Sequence, residues 1–479
     1  MNRQNYLKQS LTLAALALSA TQLTAHTNKT FLPTQSINRN LAADTIVFSE
    51  LTTPKKAHAF GGTFQTTAFY SKSDNGRELG SYFGIKNKNE FTAYNNLDAD
   101  LDLGTVIYDA GATRTTPNII HLQPTQTIYG LRFHYNQNLS NLLDGLYVRA
   151  TLPVVRVEND FGFAVTNASS ASNQCDVVNY FNGSLAPIAV DNTDARVALT
   201  NGLIAGTQVA TNVADIDLAL GYTFLKNHKY HLAANIGLTI PTGTKAKGIY
   251  AFEPLTGNGG HYELGAGLEY ATRLIGDDHN NVTFNAALDY RYALEAGEMR
   301  TFGIKGVNLG HYQLLTDVQA GNGLDTIVTT PAANVLTLKT NITPGNSFQA
   351  LAGISCKTGN FFYETGYNIR YQEKGSAVIT DKWDDDQYGR ILTKDLDLTG
   401  LYGAPNLASS NITPLPKSMI DLSSVLAETM SHKLYSNLGY TFSKMENPVY
   451  VAIGGHYEIA NSNALTSNWG LNVKTSLSF

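Results

Sequence analysis

The chain has 479 residues, with 26 Tyr and 20 Phe against 2 Trp, 41 Gly, 15% charged residues and a formal net charge of −5. That length exceeds the usual single domain, yet large all-β barrels close as one unit at this size. The slightly acidic balance argues against nucleic acid as a partner, and 2 cysteines are too few for a disulfide-stapled secreted scaffold.

At the N-terminus, Arg3 and Lys8 precede the apolar run Leu11 to Leu18 and the small-residue cleavage candidates Ala20 and Ala25, which is the pattern of an export signal. No later stretch reaches the roughly 18 apolar residues of a transmembrane helix, so a membrane-embedded mature chain must cross as strands. The expected division is a signal peptide at 1–25, a periplasmic N-terminal extension at 26–58 and a transmembrane β-barrel at 59–479.

The first strand is expected near Phe60 to Tyr70. In the long segment that follows, Leu97, Ala99, Leu101 and Leu103 interleave with Asp98, Asp100 and Asp102. This stretch matches a strand and is read here as loop; counting it and a partner would raise the barrel from 12 strands to 14. Strands follow at Tyr129 to Tyr135 and Leu146 to Val154. From Ala214, the apolar set Ala214, Ile216, Leu218, Leu220, Tyr222 and Phe224 alternates with Asp215, Asp217, Ala219, Gly221 and Thr223. Tyr230 to Ile240 repeats this alternation after a tight connection, so the two read as a hairpin. The Pro241 to Thr244 stretch ends the second strand, because Pro cannot donate to the ladder and Gly permits a turn.

The same period of two recurs at Tyr262 to Tyr270, Val282 to Tyr292, Phe348 to Cys356, Phe361 to Tyr371, Leu434 to Phe442, Val451 to Ile459 and Trp469 to Phe479. Successive strand side chains point to opposite faces, so each segment has one apolar and one polar side. About 9 to 11 tilted residues cross the hydrocarbon layer, roughly twice the usual sandwich strand. Connections alternate short and long, as in barrels with short periplasmic turns and long external loops. With Phe479 periplasmic, the long loops lie outside. Aromatics gather at both ends of the apolar face, among them Tyr262, Tyr292 and Trp469 at one end and Phe224, Tyr230 and Phe442 at the other, like interfacial girdles. In the loop at 372–432, Asp381, Asp384, Asp385 and Asp386 surround Trp383 without the spacing of a calcium loop, and a solvated turn is the expectation. The expected fold is therefore an all-β, antiparallel, up-and-down transmembrane β-barrel of about 12 strands with long external loops.

If the apolar face meets lipid, the other face lines a lumen. Its charged members are Arg132, Arg149, Asp215, Asp217, Glu263, Glu269, Asp289, Arg291, Glu364, Arg370, Glu458 and Lys474. Opposed acids and bases in a wet lumen select solutes by their field; the alternative is that pairs such as Arg291 with Glu263 only stiffen a narrow barrel. The acids Asp215, Asp217, Glu263, Asp289 and Glu458 lie toward the external mouth, which predicts a mild preference for cations. No G-x-S-x-G elbow, H-E-x-x-H pair or P-loop occurs, and His134, His231 and His456 fall on the inward face. Neither an enzyme, a cofactor nor a metal site is expected.

In its last strand, where Val473 and Leu477 alternate ahead of the terminal Phe479, the chain resembles the bacterial outer-membrane β-barrel proteins, porins in particular. The resemblance implies that Val473, Leu477 and Phe479 form the signal read by the barrel-assembly machinery. It also implies a bacterial outer-membrane location, with membrane lipid and lipopolysaccharide as surroundings. The expected function is a porin-like channel for passive diffusion of small hydrophilic solutes or ions. The alternative is a surface-structural or adhesion barrel acting through its external loops.

Overall fold

The computed structural model describes residues 61–479 apart from 86–87, 95–99, 103–117, 167–176, 186–188, 191–193, 196, 228, 318–328, 392–411, 426 and 462–464, together with residues 29–32, 37 and 41. Its centre is a closed, antiparallel β-barrel of 12 strands. In chain order they are β1 (Gly62–Ser73), β2 (Thr125–Asn138), β3 (Leu146–Asp160), β4 (Ile216–Lys226), β5 (Tyr230–Ile240) and β6 (Glu263–Gly276). They continue with β7 (Asn280–Ala293), β8 (Ser347–Thr358), β9 (Phe361–Gln372), β10 (Thr429–Phe442), β11 (Val449–Ala460) and β12 (Asn468–Ser478). Each strand pairs with its sequence neighbour, and β12 closes on β1 from Thr63 opposite Ser478 to Ser73 opposite Asn468. Phe479 and Gly62 exchange both backbone hydrogen bonds at 3.0 and 2.9 Å, sealing the seam. Closure removes the sheet edges that would otherwise present unpaired backbone.

Apolar side chains point outward around the ring. Ile236, Leu434, Ile453 and Leu471 are 59 to 65% exposed, an arrangement suited to lipid and not to water. Polar side chains point inward, among them Gln65, Thr239, Asn437 and Lys474, all buried. Turns at one end are short: 139–145, 227–229, 277–279, 359–360 and 443–448. The other end carries the long connections.

Those long connections pack together into a cap over the barrel mouth instead of standing as separate solvated loops. Helix α1 (Gly76–Phe83) and the short strands Glu90–Tyr94 and Asn118–His121 contribute Tyr82, Phe83, Phe91 and Ile120 to one apolar cluster. Phe161, Phe181, Phe252 and Tyr312, from three further connections, complete it. A second cluster joins Phe302, Ile304, Leu336, Leu415 and Ile420. The Asp-rich turn is structural here: Asp385 accepts the Lys417 amide at 2.6 Å and Asp381 the Lys339 amide at 2.6 Å, while the Trp383 indole donates to the Leu415 carbonyl at 2.9 Å.

The 12-strand reading holds. In the aspartate-rich stretch, Leu101–Asp102 is a two-residue strand beside Glu90–Tyr94 in the cap, and the flanking residues 97–99 and 103 lie outside the described residues. One side chain differs from expectation. Ala214 is fully buried against Val155 and Val157, not facing outward. Ahead of β4, the strand Thr207–Val213 pairs with the cap-side half of β3, Val213 opposite Val154, whereas Asp217 of β4 opposes Thr151. That one-residue slip is a bulge, which reverses the facing of the residues inside it.

The few described residues of the 26–58 segment pack against the cap and the inner wall. Lys29 donates its amide to the Tyr82 carbonyl at 3.1 Å, and the Tyr82 hydroxyl donates to the Phe31 carbonyl at 3.0 Å, both inside the cap. Phe31 packs edge-on against Phe302 and under the Arg300 guanidinium, 4.5 Å from its ring centre. Ile37 packs within the barrel beside Val155 and Phe69, and Leu41 beside Ala287, Leu351 and Tyr435. Apolar contacts in the cap and on the inner wall outweigh solvation for these few residues.

Candidate functional site

The barrel interior is built from alternate residues of every strand, so its chemistry follows directly from the inward register. All twelve charged residues singled out from the sequence lie inside: Arg132, Asp215, Glu263, Glu269, Arg291, Glu364 and Lys474 are buried, while Arg149, Asp217, Asp289, Arg370 and Glu458 line internal cavities. Eight of them fall into four local networks.

Toward the short-turn end, the Arg149 guanidinium forks onto the Glu269 carboxylate, one arm at 2.9 Å, and the Asn235 amide donates to the same carboxylate at 3.3 Å. Arg149 also stacks 4.5 Å over the Tyr147 ring. Further along the wall, Arg291 lies 3.1 Å from Asp289 and 3.8 Å from Asp217. The Thr239 hydroxyl sits between Asp217 at 2.5 Å and Glu263 at 3.2 Å. Arg291 fits because its neighbours are glycines: a Cβ on Gly265 would stand 2.2 Å from its side chain. On the opposite wall, Tyr435 and Asn437 donate to the two oxygens of Glu364 at 3.1 and 3.5 Å. Near the cap, Glu458 takes Lys433 at 3.0 Å, Ser431 at 2.6 Å and Asn468 at 3.4 Å.

Asp215 does different work. Displaced by the bulge, it accepts the Asn258 amide at 2.7 Å and the Gly243 amide at 3.3 Å, drawing the 241–261 connection across the mouth. Gly257 permits this approach, since a Cβ there would lie 2.4 Å from the carboxylate.

Two cavities lie inside the barrel among the described residues. The upper, about 200 Å³, lies under the cap between an apolar side (Phe31, Phe69, Phe252) and a charged side (Arg370, Lys433, Glu458). The lower, about 80 Å³, is bordered by Arg132, His134, Arg149, Glu269 and Asp289. Around and below them the wall holds buried polar atoms with no hydrogen-bond partner among the described residues: Thr63 Oγ1, Gln65 Oε1, His134 Nε2, Asn136 Oδ1 and Asn472 Oδ1. Gln65 opposes His134 and Thr63 opposes Asn136 in the β1–β2 register, so four of these atoms form one patch. Buried polar atoms are almost always hydrogen-bonded, so a patch of this kind is a surface for water.

Lys433 and Gln349 also line the interior, and the charged positions of the expected strands do not include them. Lys433 sits one residue ahead of the expected start of its strand, and its place in the period-two register with Tyr435 and Asn437 was the available signal. Gln349 carries no charge, so the charged residues of the inward face do not include it.

No family model and no curated protein matches the chain. Among solved structures, an outer-membrane channel from Pseudomonas putida F1 is 10% identical with a TM-score of 0.40, covering 88% of this chain and 97% of that one. The Pseudomonas putida toluene transporter TodX is 10% identical with a TM-score of 0.33 over 95% and 98%, and a Pseudomonas aeruginosa FadL homologue is 9% identical with a TM-score of 0.32 over 94% and 99%. These are outer-membrane barrels.

Proposed function

We propose that the chain is a bacterial outer-membrane channel through which small hydrophilic solutes or ions diffuse passively, with a mild preference for cations. One observation carries this reading: a closed barrel, apolar outside, encloses charged cavities whose walls leave buried polar atoms for water to satisfy. A barrel that only stiffened the envelope would gain more from an apolar or fully paired interior. Adding Lys433 to the twelve charged residues leaves seven acids against six bases, and most of the acids are answered locally, so the cation preference is small.

In this reading the cap faces outward and Phe479 lies at the periplasmic end. Residues 1–25 direct export, the barrel-assembly machinery reads Val473, Leu477 and Phe479, and lipid with lipopolysaccharide surrounds the barrel. Swelling of liposomes holding the purified protein tests the substrate class. Pentose-sized sugars should enter and trisaccharides should not; liposomes that fail to swell in any sugar would overturn the reading for neutral solutes.

A further inference from the structure

We propose that Gln349 is the constriction residue of this path, the side chain that separates its two chambers and limits what passes between them. The inference deepens the channel reading and rests on it. Among the described residues, Gln349 alone borders both the upper cavity and the lower one. Its partners in the sheet divide accordingly. Asp289 on β7 lies directly opposite it and borders the lower chamber, whereas Arg370 on β9 lies opposite on the other side and borders the upper. The row Asp289, Gln349, Arg370 therefore crosses the boundary from carboxylate to amide to guanidinium.

The amide is buried, 4% exposed, and its Nε2 has no hydrogen-bond partner among the described residues. A buried N–H left over in this way is satisfied by whatever occupies the boundary, which is water or a solute oxygen. Because a carboxylate and a guanidinium flank it, their charges oppose one another at this level. Passage here is accordingly set by size and by the ability to accept a hydrogen bond. Its neighbour Leu351, also inward on β8, packs with Ala287 and Tyr435, so β8 is held in place beside it.

The test uses the full-length protein in planar bilayers, with heat-modifiable electrophoretic mobility as the check that each variant has folded. Gln349→Ala should join the chambers and raise single-channel conductance by about two-fold or more, while Gln349→Trp should reduce or abolish it. Gln349→Asn should fall between wild type and the alanine variant. If the wild type conducts and none of the three variants alters conductance, the constriction is elsewhere and the proposal fails while the channel reading stands. If the folded wild type is silent and Gln349→Ala conducts, Gln349 closes the path and the reading of the wild type as an open channel fails. If folded wild type and Gln349→Ala are both silent, both fail.

Discussion

Single residues inside this barrel are positioned by partners that the sequence does not place side by side. Arg291 lies two residues after Asp289, yet its second partner, Asp217, comes from β4. The sequence reading paired Arg291 with Glu263 instead, because register across three strands is invisible to alternation alone. Removing Arg291 leaves two carboxylates together on the inner wall, which costs more than the pair contributes. Arg291→Ala should lower stability by about 2 kcal/mol, tempered by lumen water, and should appear as a lower temperature for loss of the compact electrophoretic form. His311, in the cap, is a different case. It is 3% exposed, and burial pushes its imidazole down to about 3. The unfolded chain would protonate it near the ordinary value of about 6.5, so the folded form binds fewer protons between those limits. Its contribution to cap stability is therefore complete above about pH 6.5 and declines as pH falls toward 3. Resistance of the cap to protease should decline over that window, and His311→Phe should remove part of the decline; an unchanged pH profile would show that another group is responsible.

At the scale of elements, the strands were legible and the cap was not. Alternation over long spans marks β4, β5, β9 and β12 because each face of a barrel strand meets one medium throughout. The cap strands have no such medium. Many are two to four residues long, as at Leu101–Asp102 and Leu314–Asp317, and their apolar clusters draw on distant connections, so no local period announces them. The inner position of the bulge residue Ala214 was equally hidden, since a bulge is an exception to the very rule being read. The N-terminal contacts reach both cavities. Phe31 and Ile37 border the upper cavity and Leu41 the lower one. A variant lacking residues 29–41 should therefore conduct more than the full-length protein in bilayers. Equal conductance would mean that these contacts do not narrow the path.

For the molecule as a whole, the inward face is the part of the candidate site that sequence exposes most fully. The twelve charged positions follow from strand register alone, whereas the partition at Gln349 and the closure of the mouth by Asp215 depend on which strands become neighbours and how the connections fold. A polar interior enclosed by an apolar outer wall is what the proposed channel requires of the whole structure, with water and small solutes inside and lipid outside. Single-channel recording of the full-length protein across a potassium chloride gradient tests that claim most directly. Small, discrete conductance steps with a reversal potential displaced modestly toward cations are the predicted result; folded protein that produces no conductance at any voltage would contradict it.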